Sequence, residues 1–200
     1  MNIRRIAAVW AAKAAGFICK KMGRQGVTWA GKIALKIYPP VLRELASEVR
    51  RDIFVVCGTN GKTTTNNMLC AALEAEGQKV ICNHTGSNML NGVVAAFVLG
   101  AKLNGHMDAD YACIEADEAS TKYIFPEIRP DYMVMTKSFP GSAGPVWRNR
   151  YYHEHSGNYD KNSSGHEGNR QWRRCTFRIS CHGQRQSMCI LRNQPARYEK

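Results

Sequence analysis

The segment Gly58-Thr59-Asn60-Gly61-Lys62-Thr63-Thr64 carries the clearest chemistry in this chain. Two glycines three positions apart let backbone N–H groups close around an anion, and a helix opening at Lys62 would add the positive end of its dipole. Lys62 would neutralise the terminal phosphates of ATP as the catalytic cation, and the Thr63 hydroxyl would hold Mg²⁺. Gly58, Thr59, Asn60, Gly61, Lys62, Thr63 and Thr64 are therefore the candidate ATP contacts. The bland alternative is a glycine turn with an incidental Lys-Thr. A second polar group, Glu115-Ala116-Asp117-Glu118, ends an apolar run, where open α/β sheets place ligand groups. Asp117 and Glu118 either assist there or cap a helix beginning near Ser120.

These groups need a frame, and the flanking pattern predicts one. Ile53-Phe54-Val55-Val56-Cys57 is the unbroken apolar run of a strand covered on both faces. A helical pattern through Met68, Leu69, Ala72 and Leu73 follows the loop and stops at Gly77. Lys79 to Cys82, Tyr111 to Glu115 and Tyr132 to Met135 read as further strands. Met89 to Leu103 reads as an apolar helix closed by Asn104-Gly105. Alternating strands and helices imply an α/β fold: a P-loop-type parallel sheet flanked by helices. Before it, residues 3–22 read as an amphipathic helix, with Ile3, Ile6, Trp10, Ala14 and Phe17 at helical spacing. The favoured reading packs that stripe on the adjoining domain; the sharper one lays it on anionic lipid. Gly23-Arg24-Gln25-Gly26 breaks the helix, and Tyr38-Pro39-Pro40 precedes a short helix to Arg51.

Composition divides the chain. Residues 1–137 hold 17 Lys/Arg against 12 Asp/Glu, whereas residues 138–200 hold 11 against 4. The latter stretch has only Val146, Ile179, Ile190 and Leu191 as aliphatic β-branched or leucine residues, too few to offset the entropy of ordering, so a disordered C-terminal tail is expected. The net charge of +12 thus sums two dissimilar segments and is not read as a nucleic-acid surface. The expected units are a helical segment over 1–50, a partial ATP-binding domain over 51–137 and an aberrant tail over 138–200. Eight cysteines without a CxxC pair favour a reducing, cytoplasmic setting. Cys57, Cys70, Cys82 and Cys113 read as small buried hydrophobes. The spacing of Cys175, Cys181, His182 and Cys189 fits no common zinc site. His84 and His106 read as surface residues. Lys13, Lys20 and Lys21 interrupt the first apolar stretch, which argues against a signal peptide or a membrane span.

The loop departs from G-x-x-x-x-G-K-[ST] because Val56 stands at the first glycine position. In that form it resembles the Mur ligases and folylpolyglutamate synthase, which use ATP to activate a carboxylate as an acyl phosphate for attack by an amine. The resemblance implies that 51–137 is part of a Mur ligase central domain. It also implies that Glu115 is catalytic, holding a second Mg²⁺ between γ-phosphate and substrate carboxylate. Asn88, in Thr85-Gly86-Ser87-Asn88, matches a loop near the acceptor substrate; an Asx-turn is its plain alternative. Ile3-Arg4-Arg5, Gly23-Arg24-x-Gly26, Gly31 to Leu35, Ile114 to Ser120 and Pro130-Asp131-Tyr132 resemble the MurT-like branch, the ligase subunits of lipid II isoglutaminyl synthases. That likeness implies amidation of the D-glutamate α-carboxylate of lipid II at the inner membrane face. Ammonia would come from a GatD-like glutamine amidotransferase subunit. A chain cut to this length would be inactive alone. Another Mur or folylpolyglutamate-type ligase, or a non-catalytic nucleotide-binding remnant, are the alternatives.

After Met135-Thr136 that resemblance leads to Asn and a segment close to LFRDQLDRYGE, with a four-cysteine zinc ribbon further on. The chain has Lys137-Ser138-Phe139-Pro140-Gly141 instead. Synonymous codons for Ser138 to Ser156 can be chosen so that the +1 frame reads LFRDQLDRYGEIDITMNT. Those for Gly165 to Thr176 can yield GMKAIVNGDDAL in the same phase. Codon freedom allows many of these matches, but two are forced: Trp147 and Trp172 are each TGG and must give Gly when shifted. A one-base frameshift near codon 137 is therefore expected.

Overall fold

The computed structural model describes residues 2–21, 27–84, 87–136, 170–181 and 184–195. Its elements are, in chain order, α1 (Ile3–Lys21), α2 (Val27–Ile37), α3 (Val41–Ser47), β1 (Ile53–Cys57), α4 (Lys62–Ala75), β2 (Val80–Cys82), α5 (Leu90–Gly100), β3 (Tyr111–Glu115), α6 (Thr121–Ile128), β4 (Tyr132–Met135), β5 (Arg170–Cys181) and β6 (Gln184–Pro195). The sheet order is β2-β3-β1-β4-β6-β5. Strands β1 to β4 run parallel, with Val56 beside Glu115 and Cys82 beside Cys113. The expected α/β sheet with flanking helices is the fold observed.

Alternation along the strands decides what each face carries. Ile53, Val55 and Cys57 with Ala112, Ile114, Ala116 and Met133 form one buried face, and Val93, Val94, Phe97 and Val98 of α5 pack in the same core. The opposite face presents Phe54, Tyr111, Cys113, Glu115 and Tyr132. Here the Phe54 and Tyr132 rings stack at 4.8 Å. Helix α5 ends at Gly100 rather than Leu103, because Ala101 turns extended and Gly105, at φ +80°, closes a turn back onto Lys102.

The N-terminal helix forms, but it does not pack through the expected stripe. Ile3, Trp10 and Phe17 are 78%, 58% and 70% exposed, whereas Ala8, Val9 and Ala12 are buried. Ala8, Ala12 and Gly16 recur every fourth residue, and a Cβ on Gly16 would lie 3.1 Å from Leu99 of α5. Helix α2 approaches α5 still more closely: a Cβ on Gly31 would fall 1.9 Å from the Asn91 carbonyl oxygen. Close helix approach is decided here by the small residues, so the large apolar ones are left outside. No helix among the described residues is long and apolar enough to cross a membrane.

Strands β5 and β6 form an antiparallel hairpin whose second strand pairs β4, with Met133 opposite Leu191. They fall inside the stretch that composition marks as disordered. The sequence nevertheless alternates there, Cys175, Phe177, Ile179 and Cys181 with Thr176, Arg178 and Ser180 between them. The break at 23–26, residues 137–169 and His182 lie outside the described residues.

Candidate active site

Strand β1 delivers the chain into the phosphate loop, and two glycines set the path of that loop. Gly58 sits at φ +133°, where a Cβ would come within 2.1 Å of the Thr136 hydroxyl oxygen. Only glycine lets the loop leave β1 against the end of β4. Gly61, left-handed at φ +81°, is the residue before α4, so the first turn of α4 starts at Lys62 as the loop pattern requires. Thr59, Asn60, Gly61, Lys62, Thr63 and Thr64 line an open cavity of about 200 Å³ together with Asn88 and Glu115. A complete small-ligand site takes roughly 300–1,000 Å³, so this cavity fits the phosphate end of a nucleotide rather than the whole of it. Gly58 shapes the loop from behind and does not line the cavity.

Glu115 reaches the loop from the carboxyl end of β3. It is 3% exposed. The Thr63 hydroxyl donates to its Oε2 at 2.7 Å, and Asn88 Nδ2 lies 3.3 Å from its Oε1. Both donors are neutral, and a buried carboxylate held by neutral donors favours a cation beside it. Threonine hydroxyl and carboxylate oxygens are hard ligands of the kind Mg²⁺ takes, so the residues fit that ion. Lys62 is folded back, its ammonium donating to the carbonyls of Gly58 and Thr59. A ligand anion entering the cavity would compete with those carbonyls for it.

Asn83, which no sequence pattern singles out, holds the backbone of Glu115 in place. Its Oδ1 accepts from the Glu115 N–H at 2.8 Å, and its Nδ2 donates to the Glu115 carbonyl at 2.8 Å and to the Ser87 carbonyl at 3.0 Å. The side chain thus extends the sheet where β2 has stopped. A polar residue immediately after a short strand and before a Gly-containing turn is the one signal that could have found it. Asn88 does more than turn the chain: its carbonyl accepts from Asp117 N–H, so it ties the loop to the end of β3 twice. Asp117 Oδ2 accepts from Ala119 N–H and shapes the turn before α6, while Ser120 makes no side-chain cap. The Glu118 carbonyl accepts from the Thr121 hydroxyl. His84 and His106 are exposed, as expected. Burial pushes the Cys57 thiol well above its ordinary range, so it stays protonated beneath the loop.

No family model matches the chain. It is similar to the curated protein lipid II isoglutaminyl synthase (glutamine-hydrolyzing) subunit MurT of Staphylococcus aureus strain N315, at 36% identity over 137 residues. That stretch is 68% of this chain and 30% of the relative. The MurT subunit of Streptococcus pneumoniae strain ATCC BAA-255 / R6 is 34% identical over 139 residues, 70% of this chain and again 30% of the relative. The chain therefore spans under a third of the length of these relatives. Through some two thirds of its own length it is related to the MurT ligase subunits, the branch that the phosphate loop and Ile114 to Ser120 resemble.

Proposed function

We propose that residues 51–137 are the phosphate-binding part of an ATP-dependent carbon–nitrogen ligase subunit that amidates the D-glutamate α-carboxylate of lipid II. The observation that carries this reading is the convergence of Thr63, Asn88 and Glu115, three residues remote in sequence, on one cavity at the phosphate loop. In the reaction, a carboxylate oxygen attacks the γ-phosphorus and ADP leaves. Ammonia then attacks the acyl phosphate carbon, and inorganic phosphate leaves with the proton that the nitrogen gives up. Lys62 exchanges its loop carbonyls for phosphate oxygens, and the α4 N-terminus supports their charge. Asn88 orients the acceptor carboxylate. Thr63 and Glu115 would hold Mg²⁺, which supplies further charge neutralisation when bound.

The names of the relatives support a partner glutaminase, here GatD-like, as the source of ammonia. The exposed Ile3, Trp10, Phe17 and Ile18 on α1, in a stretch with no acidic residue before Glu44, support peripheral attachment to the cytoplasmic membrane face where lipid II resides. The matching stretches, 137 and 139 residues long, are close in length to the segment before the composition changes, which supports a shifted frame near codon 137. Sequencing the gene there tests it: an in-frame continuation with incompatible codons overturns the frameshift. We infer that the 200-residue chain does not turn over alone, since closure and substrate positioning supply much of the rate.

Titration calorimetry with Mg-ATP tests the site itself. Binding by the chain, weakened about a hundredfold in Lys62→Ala, is expected; that is about 2.7 kcal/mol, the scale of a charged contact. Equal binding by both proteins would remove the loop from the mechanism. Amidation of lipid II by the purified chain with ammonia or glutamine would overturn its inactivity.

A further inference from the structure

Strand β2 ends at Cys82, on the face that α4 covers, and His84 follows two residues on in the turn after the strand. Cys113 is beside Cys82 in the β2–β3 register and shares that face. Cys70 comes down from the third turn of α4, which covers the same face. The ligand atoms of Cys70, Cys82 and His84 all lie within 4.8 Å of one another. Neither the phosphate site nor the core accounts for this convergence, and none of the three belongs to the stretch after Thr136 where the resemblance places a four-cysteine ribbon.

We propose that Cys70, Cys82 and His84 form a binding site for a soft divalent transition-metal ion of the Zn²⁺ class. Zinc–sulfur bonds of about 2.3 Å and zinc–nitrogen bonds of about 2.0–2.1 Å put tetrahedral ligand atoms roughly 3.3–3.8 Å apart, so the three groups need only small side-chain adjustments. Two thiolates and one neutral imidazole neutralise a divalent ion, which suits a site at the helix–sheet junction. The surrounding contacts have the character of outer-shell support. Asn67 Oδ1 is 3.2 Å from His84 Nδ1; with that nitrogen protonated, Nε2 keeps its lone pair for the metal. Asn66 Nδ2 donates to Cys82 Sγ at 3.2 Å. Asn66 is 1% exposed, and its Oδ1 is the one buried side-chain oxygen or nitrogen without a partner among the described residues. The junction of helix and sheet is thus polar here, not a purely apolar contact.

Asn83, which holds the Glu115 backbone, lies between Cys82 and His84. An ion at this site would pin the end of β2 to α4 and with it the geometry of Glu115. The site is thus a structural staple behind the phosphate cavity.

The test uses the full chain, reduced with a phosphine and titrated with Zn²⁺ and Co²⁺. One ion per chain is expected, with a tetrahedral Co²⁺ envelope in the visible and a thiolate-to-cobalt band in the near ultraviolet. Cys82→Ser removes the thiolate band intensity of one sulfur, and His84→Ala, at an exposed position that leaves the fold intact, weakens binding about tenfold to a hundredfold. A chain carrying Cys175→Ser, Cys181→Ser, His182→Ala and Cys189→Ser together binds as before. Substoichiometric binding, a spectrum without thiolate bands, indifference to His84→Ala and Cys82→Ser, or loss in the tail variant each overturns the proposal.

Discussion

The two ends of the parallel sheet treat carboxylates in opposite ways. At the carboxyl end Glu115 is buried, and its contacts to Thr63 and Asn88 are to neutral donors. At the amino end Asp108 and Asp110 precede β3 and are saturated with cations. Asp108 contacts Arg50 at 2.6 Å, Lys79 at 2.7 Å and Lys102 at 2.9 Å, and Asp110 contacts Arg50 at 2.8 Å. These basic residues enter from the starts of β1 and β2 and the turn after α5, so the network ties strand beginnings together. At that end both carboxylates are fully matched by cations. At the other end one buried carboxylate, bonded only to neutral donors, faces an open cavity that Lys62 also lines. A site is recognised here by the charge that the fold leaves unbalanced, not by the number of charged residues.

The largest effect should come from the residue that sets this imbalance. Asn83→Ala strips the Glu115 N–H and carbonyl of their partner, and buried groups left unmatched cost roughly 1–3 kcal/mol apiece, so about 3 kcal/mol of stability is expected to go, read by urea unfolding. Mg-ATP binding should weaken with it. Unchanged stability would mean that water replaces the side chain freely and the end of β3 is not desolvated. Glu115→Gln comes next and has the opposite signature. It keeps the shape and donors but removes a buried charge, so the protein should be as stable or slightly more so. Its ATP affinity should lose its dependence on Mg²⁺, about a tenfold drop at saturating ion. A destabilised Glu115→Gln with full Mg²⁺ dependence would break the contrast between the two ends.

The legibility of each region in the sequence depends on what its residues report. The runs Ile53–Cys57, Tyr111–Glu115 and Tyr132–Met135 announced buried strands because both faces are covered or lie beside the core, and the loop announced itself because glycine at Gly58 and Gly61 has no substitute at those angles. Hydrophobic periodicity misread α1, since it weights Trp10 and Phe17 above Ala8 and Ala12, whereas close helix approach selects the small residues. Asn83 was silent because a side chain that completes a sheet has no periodicity. Cys70, Cys82 and His84 were silent for a different reason: their ligand set is assembled from a helix and a strand, and its spacing resembles no ribbon.

The amino-terminal network offers the smallest and most specific prediction. Hydrogen bonds from Lys79, Arg50 and Lys102 hold the Asp108 carboxyl well below the ordinary carboxylate range, and hydrogen bonds from Arg50 and from the Lys79 N–H lower that of Asp110. A carboxylate whose folded pKa is depressed contributes stability above its unfolded pKa, near 3.9, and that contribution is lost as pH falls toward the folded value. Asp108→Asn should therefore lower the melting temperature slightly at neutral pH, and the gap to the wild type should close on acidification below about pH 4. Because the basic partners Arg50, Lys79 and Lys102 are solvent-exposed, added salt should shrink the gap as well. Mg-ATP affinity should stay the same, since the network lies at the far end of the strands from Glu115. A gap that persists at low pH would assign the loss to packing rather than charge. A fall in ATP affinity would show that the two ends of the sheet are coupled after all.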